Sequence, residues 1–590
     1  MASDYLTTSG ISSLVDSFTA SETSKIVTPL TTKKDNLQKL SSSYSVIQTK
    51  ITSLKSILSD LISTSSSGVL YSKTASSSDS SFVTATASGS ASTSSYDIRI
   101  SQLAKSDIAI SNDLTSANAY GLTGTHTFVV KTGDGSGGDI TSHVSVTFDG
   151  TETTAQALTK IQSAVLNNKG TVTSSSFAGT TAYTGGPSTL SFDVNGTATS
   201  VSITGGGTYS DLIDEMVSKI NSQVSGLSAS KVTDGSGNVQ LSVAVKNNAN
   251  YVSISNTSGF DLGTNLNITT TKERSAAGSV NVSVFSPMTS ISQLSITSNN
   301  TGSGYRITDL VDTNGGSVLT SLGLNLGTTR PSYVQSGTGS DTPGYRYADT
   351  TVTNNLMDAR FTFNGLSLQR NSNTVSDLAT GLSFTLKSVM TVSDPDTTVS
   401  VSTDSATIKS KLNSFITSFN DLYSYLKTNS SYSSGTRGFL TGDSTASALI
   451  SFMSSVSYGE VTGLNTDALK TLSQIGISFD PTSGLSITDP TTLDNELSSN
   501  ASQVADLFNS TNGVASKLYN YVSPYLGAGG YLDKSISNLN TNITRVSDSI
   551  TAAQTQIDKR AEALRYQYEQ LQVQLSSLIM LQTNLTNSGL

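Results

Sequence analysis

Apolar residues near the C-terminus fall in an alternating three-then-four step: Ile536, Leu539, Ile543, Val546, Ile550, Ala553 and Ile557. This is the seam spacing of a heptad, which places side chains along one stripe of an α-helix. The stripe resumes at Leu564, Leu571, Leu575, Leu578 and Leu585, with Arg560 interrupting one seam position. No Pro or Gly intervenes before Gly589, so the pattern predicts a single long helix.

A matching stripe lies at the other end. Leu37, Leu40, Tyr44, Ile47, Ile51, Leu54, Leu58 and Leu61 keep the same step, and Leu30 starts it one heptad earlier. A helix from Leu30 to Leu61 would reach roughly 48 Å at about 1.5 Å per residue. Each fully buried Leu or Ile gains about 1.5–3 kcal/mol, so such a stripe is costly to leave in water. Two stripes at opposite ends of one chain most simply bury each other as a coiled coil, with the ~470 residues between them as one insertion. The alternative is two unrelated helices, each packed on its own domain.

Residues 1–29 carry a small apolar patch, Ile11, Leu14, Val15 and Phe18, in polar surroundings. Pro29 separates it from the heptads, so this tip is expected to be flexible or to order only on assembly. Beyond Leu61, Tyr96, Ile98 and Ile100 alternate as a strand does. From about 113 to 356 short strands, turns and a few helices follow, with Asp149-Gly150, Asn195-Gly196 and Asp234-Gly235 as turn dipeptides. An internal repeat runs through them. Val144 to Leu166 reads as strand, turn, Thr-Thr and a helix holding Leu158, Ile161 and Val165. Val201 to Asn221 repeats it, with Thr208-Tyr209 before a helix holding Leu212, Met216 and Ile220.

From 357 the texture changes. Asn364-Gly365 turns a hairpin, Ile408 to Leu426 forms a helix stripe, and further short helices lead to the C-terminal heptads. The chain is therefore expected to be an α+β multidomain protein. Residues 1–65 and 535–590 form paired helical legs, 66–112 and 357–534 two parts of an inner α+β domain, and 113–356 two or three β-rich outer lobes.

Composition narrows the function. Apolar residues make up 35% and charged residues 13%, both low for an ordinary cytosolic enzyme. Ser, Thr, Asn and Gly fill the gap, as in extracellular β-rich chains. A net charge of −9 argues against nucleic acid or an anionic membrane as the main partner. Cysteine is absent, which removes disulfides and thiolate metal sites. No basic segment followed by an apolar core stands near Met1, and no membrane-spanning apolar run exists. Together these suggest a dedicated export route, or a cytosolic protein with an unusual surface.

Candidate chemistry is sparse. Two histidines, His126 and His143, cannot supply a multi-histidine metal site. The loop Gly133 to Asp139 mimics a phosphate or calcium loop but lacks a P-loop lysine and a closing bidentate glutamate, so a flexible hairpin loop is expected. No nucleophile elbow occurs in a strand-to-helix setting. No catalytic residue, cofactor or metal is expected. The 22 tyrosines against 17 phenylalanines suit either half-exposed strands or adaptable contacts with proteins or glycans.

Several segments in order resemble the bacterial flagellar filament cap family, also called hook-associated protein 2. Near the start stands Ser9-Gly10-Ile11-Ser12-Ser13-Leu14-Val15-Asp16, with Glu22 and Pro29 seven apart where the family has a closer Glu and Pro. Asp358-Ala359 through Asn364-Gly365, Arg370, Asn373, Asp377, Gly381 and Leu386 carry the clearest similarity. Gly438-Phe439-Leu440, Ile475-Gly476-Ile477, Val504-Ala505-Asp506-Leu507-Phe508, Gly530-Tyr531-Leu532 and Arg565-Tyr566-Gln567-Tyr568 continue it, the family more often having Phe at the last position. The resemblance covers roughly 1–110 and 357–590. It implies a non-enzymatic, extracellular assembly factor, exported by the flagellar type III apparatus and forming a homo-oligomeric ring, usually a pentamer, at the distal filament tip. Its implied partners are flagellin, hook–filament junction proteins and an export chaperone. Ile11, Leu14, Val15, Phe18, Leu581 and Leu585 are the candidate flagellin contacts. A host or surface glycan is a further candidate ligand of the lobes, and a coiled-coil surface or phage-tail adhesin is the competing reading.

Overall fold

Both termini are helical, and their connection is continuous where the sequence suggested a break. The structure, a computed structural model, describes residues 7–268, 271–348, 355–433 and 436–587; residues 1–6 of the tip and Gly589 lie outside them. Helix α1 (Thr8–Glu22) starts at Thr7, whose hydroxyl accepts from the Gly10 N–H. A single π-turn, Thr23–Val27, joins it to α2 (Thr28–Leu61). Pro29 sits in the first turn of α2, where its missing N–H costs least, and the widened turn before it relieves the clash its ring would make with the preceding carbonyls. The expected flexible tip is therefore helix from Thr8 onward, with Ile11 and Val15 buried.

The chain divides into two compact units. The first comprises Met1–Thr74, Ala87–Thr93 and Val401–Leu590; the second comprises Ala75–Thr86 and Ser94–Ser400. This differs from the expected partition, which put 357–534 in one inner domain. Ala359–Phe363 pairs antiparallel with Ser94–Gln102, with a bulge between Arg360 and Phe361, so the hairpin block belongs with the lobes. The helices from Ser405 onward bury α2 instead, and so belong with the termini.

In the first unit, the α2 residues Ile47, Ile51, Leu54, Leu58 and Leu61 are fully buried. They share a core with Ile408, Leu412, Phe415, Phe419, Leu422 and Leu426 of the helix Ser405–Ser430. Three of its helices begin on aspartates that accept the orphan N–H groups of the first turn. Asp404 accepts from Thr407 at 3.0 Å, Asp443 from Ala446 at 2.8 Å and Asp489 from Thr492 at 3.0 Å. The C-terminal helix Tyr531–Asn587 is unbroken over 57 residues.

The second unit is built around a seven-stranded sheet. Its strands in chain order are β1 (Thr123–Gly133), β2 (Asp139–Asp149), β3 (Ser188–Val194), β4 (Thr197–Ile203), β5 (Tyr251–Gly259), β6 (Lys272–Arg274) and β7 (Ile307–Thr313). They lie in the order β4-β3-β5-β6-β2-β1-β7. The two copies of the internal repeat are its two hairpin–helix halves. β1–β2 leads into α3 (Thr154–Leu166) and β3–β4 into α4 (Tyr209–Gln223). Each helix opens on a threonine capping box, Thr153 with Gln156 and Thr208 with Asp211. Each covers its own apolar cluster, Leu158, Ile161 and Val165 in one, Leu212, Met216 and Ile220 in the other. Asn195-Gly196 turns β3 into β4 with φ of 51° and 82°, a left-handed pair that Asn and Gly adopt at least cost.

Candidate assembly surface

The terminal helices pack against each other antiparallel. Ser41 donates to the Asn540 side chain at 3.1 Å, and Arg560 faces Glu22 at 3.9 Å, so position rises on one helix as it falls on the other. Arg560, an interruption when only the heptad is considered, thus has an acidic partner across the seam.

This register staggers the pair. At equal rise per residue, the C-terminal helix begins opposite about residue 50 of α2, and α1 begins opposite about residue 574. The stagger explains the burial of each seam position. Ile51, Leu54, Leu58 and Leu61 lie past the start of the C-terminal helix and are covered by the helix Ser405–Ser430 and its neighbours instead, a correction to the expectation that the two stripes simply bury each other. In the paired stretch Tyr44, Ile47, Val546 and Ile557 are buried, whereas Leu30, Leu37, Leu40, Ile536, Leu539, Ile543, Ile550 and Leu564 are half-buried. A thin seam of this kind leaves the edges of both helices in contact with water.

Around and past the start of α1 the heptad continues with less cover. Leu575 is half-buried, but Leu571 is 47% exposed, Leu578 62%, Leu581 57% and Leu585 47%, with Val573, Ile579 and Met580 exposed beside them. The candidate contact residues therefore divide. Leu581 and Leu585 are exposed, Leu14 and Phe18 are half-buried, and Ile11 and Val15 are buried. Such a run of exposed apolar side chains is what marks an interaction surface.

One seam residue has a further function that the heptad does not announce. The Tyr44 hydroxyl donates to the Asp443 carboxylate, the same group that caps the helix Ser444–Tyr458. Burial, then the neighbouring carboxylate, push its pKa up to about 12. A tyrosine among seam leucines is the one available signal, since its polar tip demands a partner when buried.

The candidate chemical sites are closed by their own neighbours. The Lys272 ammonium reaches Asp134 at 2.6 Å and holds its carboxyl well below the usual range, and Ser136 and Gly138 donate to it as well. The Gly133–Asp139 loop is thus tied down around its own carboxylate. His143 lies 3.1 Å from Glu273, which raises its pKa above the ordinary histidine value. His126 faces the Thr123 carbonyl at 3.1 Å. Among the described residues no group of three His, Cys, Asp or Glu could hold a metal, and no helix is long and apolar enough to cross a membrane.

Comparison with known proteins matches both ends of the chain. Residues 9–107 match the family described as flagellar hook-associated protein 2 N-terminus, and residues 357–579 its C-terminus. Flagellar hook-associated protein 2 of Salmonella typhimurium is 26% identical over 249 residues, covering 39% of this chain and 52% of that protein. The Aeromonas caviae protein is 29% identical over 251 residues, covering 39% and 53%. The chain thus spans about half the length of the curated relatives it matches. A crystal structure of flagellar cap protein FliD domains from Escherichia coli covers 84% of this chain and 99% of that one at 17% identity, with a TM-score of 0.49, a likeness too weak to argue from. The two family matches stand in order, cover more than half of the chain together, and flank the β-rich centre: the chain belongs to the flagellar hook-associated protein 2 family.

Proposed function

We propose that this protein caps the flagellar filament. As a homo-oligomeric ring at the distal tip, with a pentamer as the expected form, it would retain exported flagellin and promote its insertion and folding. The observation that carries this reading is the exposed apolar end of the C-terminal helix, beyond the start of α1, in a chain of this family. An assembly factor must make and break contacts as subunits arrive. A modest seam within the chain and an open stripe at its end suit that task. The action is non-enzymatic, and the place of action is outside the cell after type III export. Hook–filament junction proteins and an export chaperone are further proposed partners. The family assignment does not favour the adhesin reading, and glycan binding by the lobes is an accessory possibility that capping does not require.

Deleting the gene in its native host tests the proposal. Abundant unpolymerised flagellin in the medium with stubby or absent filaments, restored by the intact gene, is the expected result. Normal filaments and a clean medium would overturn it.

A further inference from the structure

The two copies of the internal repeat have separate cores, and one narrow seam joins them within the seven-stranded sheet. β6 lies between β5, which packs in the second core, and β2, which packs in the first. It meets each through two residues only. Glu273 and Arg274 stand opposite Val252 and Tyr251, and Lys272 and Glu273 opposite Ile140 and Thr141. The chain passes between the copies a second time just after α3. There a Cβ on Gly170 would lie 2.4 Å from main-chain atoms of Arg274 and Ser275, so the two crossings touch.

His143, on β2, grips both crossings. Its carbonyl accepts from the Asn168 amide at 2.6 Å, and its ring Nδ1 lies 3.1 Å from the Glu273 carboxylate. Asn168 in turn accepts from the Ala276 N–H at 2.8 Å and from the Ser275 hydroxyl. Glu273 is 1% exposed. Among the described residues its carboxylate has two partners, His143 and the Thr271 hydroxyl at 2.8 Å, and of these His143 alone can carry a positive charge. A carboxylate so buried is costly as an anion unless its charge is answered. Lys131 of β1 is tied to Asp309 of β7 at 3.2 Å and Lys272 of β6 to Asp134 at 2.6 Å, so neither replaces the imidazolium. The bond to Glu273 raises the His143 pKa, against burial and the repulsion of Lys131. The imidazole itself is exposed, so its proton follows the pH of the surroundings.

We propose that His143 is a pH-sensitive clasp on this seam: protonated, it holds β6 to the first copy through Glu273, and deprotonated, it lets the seam open more often, so that the second copy moves as a separate lobe. The sign follows from the raised pKa. The clasp is complete below the unfolded histidine value of about 6.5 and is lost as pH rises through the folded one. A seam of two residue pairs on each side is short enough for one ion pair to matter, since local opening is governed by the few contacts at the place that opens. The inference is independent of the capping reading.

Amide hydrogen exchange of the full-length protein, read on peptides containing β6 and corrected for the intrinsic pH dependence of exchange, tests it. Protection of β6 should fall at least about fivefold from about pH 5.5 to about pH 8.5, while that of α3 and α4 stays constant. The midpoint of the fall should coincide with the titration of the His143 ring followed by NMR, where His126 is the one other histidine. His143→Gln, which keeps a neutral donor towards Glu273, should abolish the pH dependence, and His126→Gln should leave it unchanged. Equal protection at both pH values overturns the proposal, and so does a midpoint away from the His143 titration. That coincidence decides the matter even if His143→Gln fails to fold. A pH dependence that persists in a folded His143→Gln protein, or that His126→Gln abolishes, also overturns it.

Discussion

The C-terminal helix carries one heptad pattern through two different surroundings. Between Leu532 and Ile557 the stripe packs on α2, the turn before it and the helical core, with Val546 and Ile557 buried. Between Leu578 and Leu585 the same spacing of the same residue types is exposed. Nothing in helix propensity distinguishes the two stretches, and what differs is the length of the partner. Among the described residues the antiparallel register ends at the start of α1, and the helix continues for about 20 Å beyond it at 1.5 Å per residue. A heptad therefore announces that a stripe needs cover without saying whether the cover comes from the same chain.

Three sets of substitutions break or sharpen that contrast. The largest effect is expected at the buried core: Leu54→Ala should cost about 3 kcal/mol, from lost transfer energy and a cavity, read as a lowered urea midpoint. Leu578→Ala should change the same midpoint by no more than about 0.5 kcal/mol, as exposed substitutions do. A comparable cost at both sites would show that the end of the helix is covered within the chain. Next comes Tyr44→Phe, which removes the hydrogen bond to a charged group and should cost about 1.5 kcal/mol near neutral pH. Because the folded pKa of Tyr44 is raised, its contribution is full below the unfolded tyrosine value of about 10. It is lost as pH rises towards about 12. Melting temperature should therefore fall more steeply over that alkaline range in the wild type than in Tyr44→Phe. The smallest effect belongs to Arg560→Ala, at most about 0.5 kcal/mol, because the Arg560 side chain is 64% exposed. A larger loss would mean that this pair sets the register rather than decorating it.

Much of the architecture was legible from residue patterns with a local physical cause. Asn195-Gly196 and Asn364-Gly365 take the left-handed turn conformations their side chains permit, and both form hairpins. The repeat was visible because each copy places a threonine cap ahead of an apolar helix face. Features set by distant partners were hidden. The stagger depends on Ser41 meeting Asn540, a contact that neither stripe encodes alone. The unit boundary depends on Ser94–Gln102 choosing Ala359–Phe363 as its neighbour. The Gly133–Asp139 loop, expected to be flexible, is fixed by Lys272 from far along the chain. Of the candidate contacts, Leu581 and Leu585 were placed by the heptad's continuation. Ile11 and Val15 are buried within the chain, which the sequence could not indicate, because a short amphipathic patch looks the same whether it faces a partner or its own chain.

The central claim is that the exposed end of the C-terminal helix engages the growing filament. The most direct measurement is extracellular flagellin in a strain whose only copy of the gene carries Leu571→Asn, Leu578→Asn and Leu581→Asn together, beside the melting temperature and oligomer mass of the purified variant. The account predicts an unchanged melting temperature and mass with flagellin lost to the medium, as in the deletion strain. Full-length filaments and a clean medium from a stable variant would contradict it.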